Sequence, residues 1–240
     1  MPESVVLLHG FSGTGRAWDG VARRLRREGY SPLAPDLPGH GTASDVEPIT
    51  FAHCVRHVLE RAPERFVLCG YSLGGRVALH VALAAPRRVS RLVLVSSTPG
   101  IEGPAERAER RRADERLAAE LEDEPFERFI DRWRTQPLFA GDPPAVDRLA
   151  REDQRRNDPL ALAAVLRGIG TGAMEPLWDR LGDLRMPVTV VVGQRDAKFS
   201  EIGEQVVSLL ADGELAAVAG AHNLPLENPL ALAAILSDES

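Results

Sequence analysis

A chain of 240 residues, 44% hydrophobic and 27% charged, has the composition of an ordinary globular protein and the length of one large domain rather than two. Its net charge of −6 argues against nucleic acid as a partner, and no apolar run reaches the roughly 18 residues of a membrane span. The N-terminus lacks the basic and apolar regions of a signal peptide, so a cytoplasmic location is expected. Cys54 and Cys69 have neither a CxxC partner nor a metal-like spacing with histidine, and Cys69, inside an apolar run, reads as a small buried hydrophobe.

Short apolar runs then alternate with helical periodicity, the pattern of βαβ units and a parallel sheet. The first run, 4–9, leads into His9-Gly10-Phe11-Ser12-Gly13, and a helix is expected at 18–28. A second strand at 31–34 precedes Asp36-Leu37-Pro38-Gly39-His40-Gly41, whose glycines and proline suit a rigid loop. After a helix at 51–61, the strand at 65–71 runs directly into Gly70-Tyr71-Ser72-Leu73-Gly74 and a helix at 74–84. Further strands are expected at 91–96, 187–193 and 214–219, with helices at 201–210 and 229–237. Most of these strands are near-continuous Val, Leu and Ala, as befits a sheet covered on both faces. Residues 101–180 break the rhythm: they hold no strand-like run and read as several helices. An insertion between two strands of such a sheet rises above its carboxyl edge, where open α/β folds bind ligands. The expected architecture is therefore one domain, 1–240, with a helical cap at 101–180.

The segment 70–74 is a G-x-S-x-G in its required strand–turn–helix context, which identifies an α/β-hydrolase nucleophile elbow. Such a turn lifts the Ser72 hydroxyl above the sheet at a helix N-terminus. The base and its orienting acid follow in the order serine, acid, histidine. Only His222 among the six histidines lies beyond residue 80, so chain order selects it. The acid belongs just past the preceding strand, where Gly193-Gln194-Arg195-Asp196 offers Asp196; Asp183 precedes that strand and Asp212 ends a helix. The loop after the first strand supplies a second oxyanion-hole amide, from Phe11, to pair with that of Leu73. His9 and His40 read as loop-holding histidines rather than proton carriers. No metal-ligand cluster, P-loop or dinucleotide fingerprint is present, so no cofactor is expected.

Several separated segments together resemble the MenH family, the 2-succinyl-6-hydroxy-2,4-cyclohexadiene-1-carboxylate synthases of menaquinone biosynthesis. They include the two glycine-rich loops above, Gly70 to Ala78 with Arg76 two residues past the elbow's last glycine, Arg107-Ala108-Glu109-Arg110, Gln136-Pro137-Leu138-Phe139-Ala140 and Arg195-Asp196-Ala197-Lys198-Phe199. The likeness continues through His222-Asn223 to Glu227-Asn228-Pro229, so it spans nearly the whole chain. Lys198 is the only lysine beside 28 arginines, which makes its place inside one of these motifs hard to ascribe to composition. Ala221 departs from the pattern, standing where glycine usually precedes the histidine.

The resemblance implies a lyase acting on a small polycarboxylate. The substrate carries a succinyl side chain, a ring carboxylate and an enolpyruvyl ether, and loss of a proton beside the succinyl ketone expels pyruvate. Ser72, backed by His222 and Asp196, then acts as a base. Carboxylates call for cations, and arginine matches them with two parallel bonds. Arg76 and Arg110 are expected in the pocket, with a third arginine from Arg155-Arg156-Asn157, taken as Arg155. Tyr71 and Trp133 match family pocket positions. Two alternatives use the same fold: a serine hydrolase, either a carboxylesterase or a carbon–carbon bond hydrolase, and a non-catalytic ligand receptor. The charged cap argues against a simple esterase, and a complete set of triad candidates argues against a receptor.

Overall fold

Alternation within the apolar runs builds the sheet. In β1 (Ser4–Leu8), Val6 and Leu8 enter one core while Val5 and Leu7 enter another on the opposite face, the two-residue period of an extended chain. Strands β3 (Phe66–Tyr71) and β5 (Val188–Gly193) are buried at every residue, because helices cover both of their faces. The computed structural model describes residues 3–237. Within them β2 (Ser31–Leu33), β4 (Val89–Val95) and β6 (Gly213–Val218) complete a six-stranded sheet of order β2-β1-β3-β4-β5-β6. All five pairings are parallel. No helix among the described residues is long and apolar enough to cross a membrane.

On one face, α1 (Asp19–Arg27) and α10 (Pro229–Ser237) bury Val21, Leu25, Leu232 and Leu236 against Val5, Leu7, Val93 and Val191. On the other lie α2 (Phe51–Arg61), α3 (Leu73–Ala84) and α8 (Ala197–Leu209), whose Val58, Val77, Leu79 and Val206 share a core with Leu68, Leu92 and Val190. Strand and helix positions follow the sequence pattern closely, with one notable shift. The helix expected at 201–210 begins at Ala197, because its first turn closes immediately, with the Ser200 amide donating to the Asp196 carbonyl. Apolar periodicity missed that turn because it faces a cavity rather than the core.

Between β4 and β5 the described regular structure is all helical: α4 (Pro104–Asp123), α5 (Phe126–Arg134), α6 (Pro144–Gln154) and α7 (Pro159–Ile169), with short 3₁₀ turns at Pro137–Phe139 and Trp178–Asp183. The segment has a small core of its own, made by Ala118, Leu121, Phe129, Leu162 and Leu166. Phe11, from the loop after β1, packs against that core and so joins it to the sheet. Because β1 has β2 on one side and β3 on the other, the loops after β1 and β3 diverge at the carboxyl edge and open a crevice between them.

One steric condition governs that crevice. A Cβ on Gly74 would lie 2.2 Å from the Leu8 carbonyl oxygen, whereas one on Gly182 would meet nothing within 4 Å. Gly74→Ala is expected to cost roughly 1–3 kcal/mol, as overpacking does, and so to lower the melting temperature by about 2–4 °C per kcal/mol. Gly182→Ala, measured alongside it by thermal melting, should stay within about 0.5 kcal/mol of the parent.

Candidate active site

The turn from β3 into α3 sets Ser72 at φ 51° and ψ −110°, a conformation a side chain adopts only when its surroundings compel it. The surroundings do compel it. The Ser72 amide donates to the Val95 carbonyl at 2.9 Å, and the Ser97 hydroxyl donates to the Ser72 carbonyl at 2.8 Å. Cβ atoms on Gly70 and Gly75 would stand 2.3 Å from Gly74 O and 2.4 Å from Ser97 Cβ, so glycine is required there by space alone.

The segments after β5 and β6 bring the partners. Asp196 immediately precedes α8, and His222 precedes α9 (Leu224–Glu227). His222 Nδ1 and Asp196 Oδ2 are 2.7 Å apart, and both side chains are buried. With the carboxylate accepting, Nδ1 carries the proton, and Nε2 presents its lone pair to the Ser72 hydroxyl at 3.4 Å. The ring is held by aromatic neighbours: Phe199 at 4.6 Å, Tyr71 at 5.3 Å and Phe139 at 6.1 Å between centroids. Glu227 fixes the loop before it, accepting from the Ala221 amide at 2.6 Å and pairing with Arg195. This chain of hydrogen bonds is what serine activation needs: a hydroxyl, a base within reach, and an acid that orients the base.

Phe11 and Leu73 line the same cavity as Ser72. Among the described residues no acceptor receives the N–H of either one. Gly10 brings the first loop close, since a Cβ there would lie 3.5 Å from Ser72 Cβ. Two unengaged amides beside a nucleophile are the makings of an anion-stabilising site. His9, by contrast, is structural: the Leu37 amide donates to its Nε2 and its Nδ1 donates to the Gly10 carbonyl, both at 2.9 Å. Burial pushes its pKa down, and it pushes that of His40 down to about 3. Both rings are neutral: His9 ties the first loop to the Leu37 amide, and His40, bonded to the Pro38 carbonyl of its own loop, packs edge-on against the His9 ring at 4.8 Å.

The cavity encloses about 1110 Å³, ample for a substituted six-membered ring. Four of the five residues expected to bind substrate line it: Tyr71, Arg76, Arg110 and Trp133. Arg76 is buried and donates to the Ile169 carbonyl at 2.7 Å. Burial pushes its pKa down to about 10, which leaves it charged at neutral pH. Arg110 meets Asp114 one helical turn on at 2.6 Å, and Asp114 is itself buried and accepts from the Gly172 amide at 3.0 Å. Trp133 packs edge-to-face on Phe11 at 5.0 Å.

The fifth expectation is corrected. Arg155 does not line the cavity; its guanidinium makes two bonds to Glu127, at 2.8 and 2.9 Å, on the exposed surface. Arg156 is no substitute, since it too lies outside the lining and sits 3.8 Å from Asp153. The reason is where the helix ends. α6 stops at Gln154 with Asp153 and Gln154 turned inward, and the turn that follows buries Asn157 while leaving Arg155 and Arg156 outside. Lys198 and Phe199, absent from the expected set, do line the cavity from the first turn of α8; the R-D-x-K-F motif was their signal. Asp114 also fell outside it, although its i,i+4 spacing from Arg110 was readable.

Comparison with known proteins agrees with this architecture. A profile of the Alpha/beta hydrolase family matches residues 5–235. The 2-succinyl-6-hydroxy-2,4-cyclohexadiene-1-carboxylate synthase of Salmonella agona is 35% identical over 94% of this chain and 89% of its own. The structure of MenH from S. aureus superposes with a TM-score of 0.90 at 29% identity, covering 97% of this chain and 91% of that one. A hydrolase from Pseudomonas aeruginosa superposes at 0.81 with 26% identity, over 97% and 88% of the two chains. The chain belongs to the alpha/beta hydrolase family and, within it, to the 2-succinyl-6-hydroxy-2,4-cyclohexadiene-1-carboxylate synthases.

Proposed function

We propose that this enzyme is a carbon–oxygen lyase of menaquinone biosynthesis. It eliminates pyruvate from 2-succinyl-5-enolpyruvyl-6-hydroxy-3-cyclohexene-1-carboxylate to give 2-succinyl-6-hydroxy-2,4-cyclohexadiene-1-carboxylate. The observation that carries the reading is the meeting of Ser72, His222 and Asp196 with Arg76 and Arg110 in one cavity. In a protein of net charge −6, that placement selects an anionic substrate with a reacting centre over the serine.

Ser72 Oγ takes the proton beside the succinyl ketone as His222 Nε2 takes the hydroxyl proton, and Asp196 steadies the imidazolium that forms. Charge then develops on the ketone oxygen, where the Phe11 and Leu73 amides receive it. The electron pair moves through the ring and breaks the carbon–oxygen bond to the enolpyruvyl group. That group leaves as enolpyruvate, takes up the proton and becomes pyruvate. No water is consumed. Residues 101–180 act as a cap, placing Arg110 and Trp133 over the ring. Arg76 and Arg110 each hold a carboxylate, with Asp114 aligning Arg110.

Pyruvate release, followed by lactate dehydrogenase with the unstable substrate generated in situ, should be fast. No oxygen from labelled water should enter the ring product. Efficient ester cleavage without acceleration of pyruvate loss would instead make the protein a hydrolase. In the same assay, Ser72→Ala and His222→Ala should each lower kcat by about 10²–10⁴-fold, the range general base catalysis supplies.

The charged residues separate in a second experiment. Arg76→Ala and Arg110→Ala should each lower kcat/KM for the polycarboxylate by roughly 10–150-fold, since a lost bond to a charged group costs about 1.5–3 kcal/mol. Activity on a small neutral ester should change far less. Arg155→Ala should leave kcat/KM close to the parent's, because its guanidinium is bound to Glu127 at the surface and does not line the cavity.

A further inference from the structure

We infer that Asp153, Gln154 and Asn157 are positioning residues, by which the carboxyl end of α6 sets the Phe11 amide of the oxyanion loop. The inference rests on Phe11 acting as proposed above. All three side chains are buried, and each is directed at the loop that follows β1. Asp153 accepts from the Thr14 amide at 2.8 Å through Oδ2 and from the Thr14 hydroxyl at 2.5 Å through Oδ1. Gln154 donates to Ser12 Oγ at 2.9 Å. Asn157 donates to the Ser12 carbonyl at 2.8 Å and accepts from the Gly41 amide at 3.0 Å, so it ties this loop to the one after β2.

The loop needs such a holder. Ser12 has φ 60°, a left-handed conformation unfavourable for serine, and it follows Phe11 directly. From beneath, the loop is pressed onto the elbow: a Cβ on Gly10 would lie 2.7 Å from the Tyr71 ring. Beside it lies the loop after β2, whose His40 ring meets those of His9 and Phe11; from above, the inserted helices reach it through Trp133 on the Phe11 ring and through these three polar groups on its backbone and hydroxyls. An oxyanion donor works when it lies at hydrogen-bond distance from where charge will appear, and small displacements forfeit much of its effect. Desolvating a carboxylate is costly unless its lone pairs are occupied. Asp153 satisfies both oxygens on Thr14, and the cation paired with it among the described residues, Arg156, stands off at 3.8 Å. The insertion thus does two jobs: it supplies wall residues, and it completes the geometry of a catalytic amide that belongs to the sheet.

The test measures two reactions that develop charge in the same hole: pyruvate release, and phosphonylation of Ser72 by a fluorophosphonate. Asn157→Asp keeps the shape and the acceptor for Gly41 but turns an oxygen towards the Ser12 carbonyl. Asp153→Ala removes both acceptors of Thr14. Each should lower kcat and the phosphonylation rate tenfold or more per folded molecule, short of the roughly 10²–10³ lost with a whole oxyanion donor. KM should stay within about twofold, because no substrate contact is removed. Asp153→Asn, which can still accept from the Thr14 amide, should recover most of the activity. A purely structural role would lower the melting temperature and leave both rates per folded molecule unchanged, and that result overturns the inference, as does a loss confined to KM. Should Asp153→Ala not fold, Asn157→Asp and Thr14→Val decide the matter by the same two rates. A parent protein that is phosphonylated but releases no pyruvate would remove the lyase reading alone, with positioning still judged on phosphonylation. A parent that neither is phosphonylated nor releases pyruvate removes both, and one that releases pyruvate without being phosphonylated leaves positioning to be judged on kcat and KM.

Discussion

The close approach of α3 to the end of β1 is the constraint on which the site depends. Gly74 lies so near the Leu8 carbonyl that a single methyl group would collide with it at 2.2 Å, and this contact lets the β3–α3 turn be tight enough to hold Ser72 at positive φ. A wider turn would relax the serine and lower its hydroxyl towards the sheet. The same contact sets the spacing between the loops after β1 and β3, whose Phe11 and Leu73 amides flank the serine. Ser72 and these two unengaged amides are therefore placed by one packing event at the switch point of the sheet.

Around this rigid floor the wall carries both signs of charge, Arg76, Arg110, Arg195 and Lys198 beside Glu102, Glu106 and Glu109. An acidic protein keeps Arg76 and Arg110 on the cavity wall, each with its own restraint. Arg76 is held by the Ile169 carbonyl and buried enough to lower its pKa, while Arg110 is held by buried Asp114. Restrained arginines lose less freedom when a carboxylate arrives, which is how preorganisation strengthens binding. Other arginines of the insertion, such as Arg155 on Glu127 and Arg167 between Glu115 and Glu122, lie in exposed pairs that contribute little to stability and more to solubility. Position, not residue type, separates the two sets.

The insertion between β4 and β5 lines the cavity through Arg110 and Trp133. Here it also reaches down to the sheet's own loops, since Asp153, Gln154 and Asn157 hydrogen-bond residues 12, 14 and 41. α6 itself lines no part of the cavity, so on the proposed roles sequence changes at its end would act on the chemistry rather than on the fit.

The sequence by itself determined the parallel sheet, the tight turn at Ser72, the placement of Asp196 and His222 just past strand ends and the two loops that carry Phe11 and Leu73. Each of these is a local fact: a strand's apolar run, a turn whose glycines have no substitute, an acid or histidine just past a strand end. Arg76 and Tyr71 were equally legible, because they lie within a few residues of the elbow and inherit its geometry. Only the tertiary structure decided which residues of the insertion face inward. The chain turns as it leaves α6 at Gln154, so Arg155 and Asn157, two positions apart, point to solvent and to the loop after β1. The partners of Asp153 and Asn157 lie more than a hundred residues away in sequence, and no periodicity within a polar helix can indicate which distant backbone groups it will meet.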